Sequence, residues 1–213
     1  GLQSLEKANL PKDIHYIVNL TGGTKIMSLM VYDFFREFNC TFYYIPIGKN
    51  IYCNIEDGQM ESLRYRISLK EYFTLYGLLF ECNNTLLKDK KTTFAFFEKQ
   101  KKRNFFLSKE ITCSKQATTK EDKRYYSGAW FEEYTYLRIK EELALRDEDI
   151  SMSLKIYRND LSHNDNEIDV AFMFENKLYI IECKVSMNGY GKEPQHHIEN
   201  YLYKLAAVSK DFG

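Results

Sequence analysis

Two apolar runs, "EIDVAFMF" (167–174) and "KLYIIECKV" (177–185), restrict the fold of this 213-residue chain more than any other feature. They are separated by Glu175 and Asn176 alone. Alternating runs joined by two turn-forming residues read as a β-hairpin. With the turn on Glu175–Asn176, Phe174 stands opposite Lys177 and Asp169 stands opposite Glu182. Ile168, Val170, Phe172 and Phe174 then form one apolar face, with Glu167 and Asp169 turned the other way. On the second strand Tyr179, Ile181, Cys183 and Val185 form the core face, and Glu182 and Lys184 share the opposite one. Facing carboxylates on neighbouring strands repel, and charges at the end of an apolar strand are costly unless paired or bound. A hard divalent cation, Mg²⁺ or Mn²⁺, suits acid-only oxygen ligation. The plain alternative is a solvated strand face that happens to carry E-x-K.

The rest of the second half builds a small α/β unit around this hairpin. "SGAWFEEYTYLRIKEELAL" (127–145) has helical periodicity and carries Glu132 and Glu133 in its first turns. Either acid can reach the hairpin's carboxylates. "ISMSLKIYR" (150–158) alternates as a strand, "LSHNDN" (161–166) and "GYGKEPQ" (189–195) read as loops, and "HHIENYLYKLAAVSK" (196–210) reads as a helix. The order α–β–β–β–α predicts a mixed sheet. His163, His196 and His197 flank the hairpin and suit phosphate contact better than metal ligation.

"GAWFEE…NEIDVAF…YIIECKVS" resembles the PD-(D/E)xK nuclease superfamily, with Asp169, Glu182 and Lys184 as its D…ExK signature and Ile168 in place of the proline. The resemblance implies a restriction-endonuclease-like α/β domain over 125–213 and a phosphodiester hydrolase. It implies Asp169 and Glu182 as metal ligands, with the Cys183 main-chain carbonyl as a further oxygen; the Cys183 side chain reads as core. Lys184 would orient or activate the attacking water and offset phosphate charge. Glu132 would complete the metal or water shell. Mn²⁺ or Mg²⁺ would be the cofactor.

In the first half, "IHYIVNL" (14–20) reads as a buried strand, "TGGTK" (21–25) as a loop, and "IMSLMVYDFFREF" (26–38) as a helix with Met27, Met30, Val31 and Phe34 on one face. Strands follow at "CTFYYIPI" (40–47) and "IYCNI" (51–55), with "GKN" between them as a turn. Glycines allow close backbone approach to an anion, and a helix N-terminus presents free N–H groups. The loop matches neither a Walker A nor a G-x-G-x-x-G pattern. A tight turn with a capping Thr is its plain alternative. One β–α–β–β segment is about half of a Rossmann-like sheet and cannot cover both of its faces. The sequence opens on Gly1 and closes inside a helical pattern, "KLAAVSKDFG", so it reads as a piece of a longer protein.

The segment "IVNLTGGTKIMSLMVYDFF" ahead of such a nuclease domain resembles the CARF nucleases of type III CRISPR antiviral defence, as does "ISLKEYFTLYGL" (67–78). That resemblance implies a partial Rossmann-like CARF sheet over 1–62 and a helical, basic connector over 63–124. It implies a cyclic oligoadenylate activator contacted by Thr21, Gly22, Gly23, Thr24 and Lys25, and a homodimer with that ligand on its axis. The substrate would be single-stranded RNA or DNA. Two other readings remain at this stage: a non-catalytic cyclic-nucleotide-sensing module, and a restriction or recombination DNA endonuclease.

Composition sets outer bounds. The 30 Lys+Arg and 30 Asp+Glu cancel, but unevenly along the chain. Residues 88–124 hold 12 basic and 5 acidic side chains, a net of +7, whereas 125–213 hold 10 and 16, a net of −6. A uniformly basic nucleic-acid coat is excluded. The basic belt carries Phe94, Phe96, Phe97, Phe105 and Phe106. It can guide a strand by phosphate contact and stacking, or it is a solvated helix with core Phe residues. Residues 64–87 read as one helical stretch starting near Ser68, and 114–124 as a linker. The five cysteines form no CxxC pair, which fits reduced thiols in a cytoplasmic protein. No apolar run approaches a membrane span.

Overall fold

The computed structural model describes residues 9–102, 117–157 and 166–185, together with Glu199, Leu202, Tyr203 and Ala206. The chain divides between Arg66 and Ile67 into two compact units.

In the first unit, β1 (Tyr16–Asn19) and β2 (Cys40–Tyr44) run parallel, joined through helix α1 (Lys25–Phe35). β3 (Ile51–Asn54) and β4 (Met60–Ser62) add antiparallel, in the order β1-β2-β3-β4. Asn19 Oδ1 accepts the Thr21 N–H at 2.9 Å, and Thr21 Oγ1 accepts the Ile45 N–H at 2.6 Å, so the glycine loop is tied to the end of β2. Thr24 caps α1 by accepting the Met27 N–H. Gly23 has φ +83°, with Met27 atoms 3.3 Å from where a Cβ would stand. The helix forms where the periodicity places it, but its apolar stripe is open: Met27 is 57% and Met30 38% exposed, and no residue of α1 is buried. Val31 and Phe34 are half-buried.

The second unit is built on the sheet β5-β6-β7-β8: Leu79–Glu81, Ile150–Tyr157, Asn166–Phe174 and Lys177–Ile181. Every pairing within it is antiparallel, so among the described residues the sheet is not the mixed one expected. The expected helical stretch over 64–87 is also divided. Helix α2 (Leu69–Leu75) starts on a Ser68–Glu71 capping box and ends before Gly77 at φ +68°; the chain then pairs as β5 with the far end of β6. The segment 67–102 thus belongs to the second unit rather than standing between the two.

Both faces of this sheet are covered. On one, Leu69 and Phe73 of α2 pack with Leu154, Ile156, Ile168, Ala171 and Met173. On the other, helix α5 (Trp130–Glu142) packs Tyr136 with Ile150, Met152, Val170, Phe172 and Cys183. Helix α3 (Lys90–Lys102), the short helix α4 (Lys120–Arg124) and a wide turn over Tyr125–Ala129 precede α5. Residues 120–124, read as linker, form that helix because Thr119 and Asp122 close a capping box. Phe96, Tyr125 and Trp130 form a third buried cluster. The ring of Phe97 stacks on Tyr134 at 3.7 Å, and Phe94 lies against the same ring at 5.2 Å. The Phe residues of the basic belt that are described are therefore packing residues. Phe105 and Phe106 lie outside the described residues.

Candidate active site

The hairpin of β7 and β8 forms as its spacing predicts. Glu175 and Asn176 have φ +50° and +58°, the left-handed pair a tight two-residue turn requires. Asn176 also accepts the Ile67 N–H at 2.8 Å, which ties the turn to the base of α2. The ladder runs from Phe174↔Lys177 to Val170↔Ile181. One step further, at Asp169 and Glu182, it gives way to a side-chain contact: Asp169 Oδ2 accepts the Cys183 N–H at 2.6 Å.

The partner strand breaks at the same level. β6 and β7 pair through Met152↔Val170 and Leu154↔Ile168, which puts Ser153 in register with Asp169. Ser153 has φ +46°, a left-handed backbone rare for a residue with a Cβ. Met152 and Val170 pack beside α5, whereas Leu154 and Ile168 pack beside α2. The chain thus changes face between them, and the single apolar face expected for Ile168, Val170, Phe172 and Phe174 does not form. Such local breaks recur where a sheet aims a side chain out of its regular pattern. Here that side chain is Asp169.

Lys184 closes the constellation. Its Nζ lies 2.6 Å from Glu182 Oε1, 3.3 Å from Asp169 Oδ2 and 3.1 Å from the Cys183 carbonyl oxygen. The carboxylates are largely enclosed, at 7% side-chain exposure for Glu182 and 15% for Asp169. Burial pushes the Asp169 carboxyl up, with the Cys183 N–H pulling against it and the Glu182 charge adding to it. Burial also works against the Lys184 charge, but the hydrogen bond to Glu182 and the two carboxylate charges outweigh it and hold the ammonium above its ordinary value. The Cys183 thiol is buried and pushed up to about 12; it is a packing group, as read, and a neutral one.

The two acids of α5 part company. Glu133 is 2% exposed and turns into the helix packing, where it accepts the Leu87 N–H at 2.6 Å and the Thr93 hydroxyl at 3.4 Å. Glu132 lies on the sheet side. Burial, followed by the charge of Asp169, pushes its carboxyl up to about 7, against the pull of Arg124 and Lys184. A carboxyl titrating there exchanges protons near neutrality.

The donor set suits a hard cation. Two carboxylates and a carbonyl oxygen converge on one point, and the ammonium of Lys184 stands there as a cation of single charge. Among the described residues no group of three or more His, Cys, Asp or Glu side chains is arranged to hold a metal. Any metal here would rest on Asp169, Glu182 and the Cys183 carbonyl, with Glu132 beside them. His163, His196 and His197 lie outside the described residues.

The loop residues Thr21 to Lys25 are brought together at the start of α1, with Gly22, Gly23, Thr24 and Lys25 exposed. Thr21 and Thr24 already serve the fold, as tether and cap. Two residues near the carboxylates escaped the sequence reading. Ser153 announces itself only through its backbone angle. Arg124 carried a signal, as the last basic residue before the glutamate-bearing helix, but stood among many in the belt.

Among the described residues the cysteines Cys40, Cys53, Cys82 and Cys183 are free, and no helix is long and apolar enough to cross a membrane. The Card1 CARF domain family matches residues 2–72, and the Card1-like endonuclease domain family matches residues 119–213. No curated protein sequence matches the chain. Several solved structures share its fold. Can2 from Sulfobacillus thermosulfidooxidans, in complex with cyclic tetra-adenylate, superposes with a TM-score of 0.63 at 22% identity, over 92% of this chain and 63% of that one. Protein VC1899 from Vibrio cholerae gives a TM-score of 0.69 at 20% identity, over 100% of this chain and 66% of that one. The chain thus spans just under two thirds of either structure's length. The chain thus carries a Card1 CARF domain followed by a Card1-like endonuclease domain.

Proposed function

We propose that this chain is the catalytic and sensing part of a nuclease that uses Mn²⁺ or Mg²⁺ to cleave single-stranded nucleic acid, switched on by a cyclic oligoadenylate in CRISPR antiviral defence. One observation carries the catalytic half: three oxygens, from Asp169, Glu182 and the Cys183 carbonyl, gathered within 3.3 Å of Lys184 Nζ. A bound divalent cation supplies Lewis-acid charge to the scissile phosphate and acidifies water. Lys184, two residues on from Glu182, would orient the attacking water and offset phosphate charge. Glu132, poised near neutrality, takes a proton from that water or returns one to the leaving oxygen. The buried surroundings strengthen each of these interactions by excluding solvent.

The sensing half rests on the family match over 2–72 and on the fold shared with a structure that holds cyclic tetra-adenylate. Thr21, Gly22, Gly23, Thr24 and Lys25 would contact the activator at the helix N-terminus, and two copies would face one ligand as a homodimer.

The test is cleavage of labelled single-stranded RNA and DNA by the intact protein, with Mn²⁺ or EDTA, and with each cyclic oligoadenylate in turn. Cleavage that needs both metal and one activator is expected. Glu182→Ala should lower the rate about a thousandfold, the equivalent of roughly 4 kcal/mol of transition-state stabilisation. Undiminished cleavage in that variant would remove the site from the mechanism. Lys25→Ala should weaken activator binding; unaltered binding would remove the loop from the sensing role.

A further inference from the structure

Beside the carboxylates, the second unit opens a cleft of about 590 Å³, within the range of ligand pockets. Asn83, Arg124, Ser153, Lys155 and Glu167 line it. Three features join it to the candidate active site. Ser153, on its wall, is the residue in register with Asp169. Glu167 lies two residues before Asp169 on β7. A narrow crevice sharing Asn83, Arg124 and Ser153 with the cleft is lined in turn by Glu132.

The charges in this cleft are not equivalent. Lys155 stands in register between Glu81 on β5 and Glu167 on β7, so its charge is offset from both sides. Arg124 is exposed, and among the described residues its guanidinium closes no ion pair. It is nevertheless near enough for its charge to act on Glu132 and Glu133. At the edge nearest the glutamates the cleft therefore has a cation that closes no ion pair among the described residues. Beyond it lies a polar wall of amide, hydroxyl and carboxylate groups, with Asn83 Oδ1 anchored by the Thr85 N–H at 3.2 Å. A planar guanidinium suits a phosphate, and the wall suits the hydroxyls and base edge of a nucleoside.

We propose that this cleft takes the nucleotide next to the scissile phosphate, with its flanking phosphate on Arg124 and its sugar and base against Asn83 and Ser153. The proposal rests on the nuclease reading above and adds to it a substrate-binding residue that lies on neither strand of the hairpin.

Binding and cleavage separate the two ideas. The intact protein is titrated into a fluorescein-labelled single strand in EDTA and followed by anisotropy at several salt concentrations. Cleavage is then measured with Mn²⁺ and the activator found above. Arg124→Ala should weaken binding about tenfold and flatten the slope of log affinity against log salt by about 0.7, the share of one phosphate contact on a single strand. Its cleavage should show a raised KM with kcat nearly unchanged. Arg124→Lys should keep the salt slope and recover part of the affinity. Wild-type affinity and slope in Arg124→Ala would overturn the proposal. So would an altered pH profile of kcat with unchanged binding, because Arg124 would then act only through Glu132. A wild-type protein that never cleaves would instead overturn the nuclease reading itself.

Discussion

The two units of this chain treat apolar side chains in opposite ways. In the first, Val18 and Phe42 are the buried apolar residues among those described, while Ile17 is 74%, Ile26 69% and Ile47 92% exposed. In the second, two clusters cover the two faces of one sheet and a third lies among the helices, with Phe73, Trp130 and Leu154 at complete burial. A sheet with helices on both faces buries its strands from either side, whereas four strands and one helix leave apolar surface open. The difference also separates the two proposed functions. The site that needs rigid placement, Asp169 against Lys184, sits on the double-sided sheet. The loop proposed above to contact a cyclic oligoadenylate sits on the open one.

The sharpest way to break this comparison is to cut into each unit and weigh the loss. Phe73→Ala should destabilise the second unit by about 3–5 kcal/mol, as expected for a fully enclosed ring. Trp130 is the chain's one tryptophan and is buried in that unit, so its fluorescence reports this unfolding directly. Ile17→Ala, at an exposed strand position of the first unit, should change stability by no more than about 0.5 kcal/mol. Comparable losses at the two sites would mean that something covers Ile17 after all.

A smaller effect sharpens the comparison within the second unit. Glu132 is pushed up to about 7 in the fold from an ordinary 4.5, by burial and by Asp169. A carboxyl raised in this way binds its proton more tightly when folded, so stability falls as pH rises from 4.5 to 7 and stays lowered above it. Glu132→Gln should therefore leave stability unchanged near pH 4 and raise it at pH 8. Because the group is partly exposed, the gain is roughly 1–2 kcal/mol. Thermal unfolding at the two pH values measures it. An equal gain at both would mean that Glu132 is not held protonated by its surroundings. The same variant should cleave poorly, since a site that strains its own carboxyl gives up stability for chemistry.

Legibility followed range along the chain. The hairpin register, the turn at Glu175–Asn176 and the caps at Thr24 and Ser68 rest on neighbouring residues, and the sequence states them openly. β5 was hidden inside a helical reading because its three residues owe their strand form to Tyr157, Ile156 and Lys155, more than seventy residues away. The change of face at Ser153 was invisible for a related reason. Ile168 and Val170 alternate correctly, and only packing against α2 on one side and α5 on the other shows that they part. At the site, Asp169, Glu182 and Lys184 were legible as a motif. The choice between Glu132 and Glu133 was not, because one step along a helix decides which of them meets the sheet and which meets Leu87 and Thr93.

The two caps give the finest test of the contrast between the units. Ser68 is buried and belongs to a closed box: its hydroxyl accepts from the Glu71 N–H at 3.3 Å, while the Glu71 carboxylate takes the Ser68 N–H at 2.9 Å. Thr24 makes a single capping bond of 3.3 Å and is exposed. Ser68→Ala should cost about 1 kcal/mol and Thr24→Ala about 0.5 kcal/mol, both by chemical denaturation. The small cost at Thr24 has a use beyond stability. A fold that barely notices the substitution leaves the loop's backbone in place, with Thr21 still tied to Ile45. If Thr24→Ala then weakens cyclic oligoadenylate binding by tenfold, about 1.4 kcal/mol, the loss exceeds what the cap explains and belongs to a contact with the ligand. A loss that merely tracks the stability change would leave Thr24 as a cap alone.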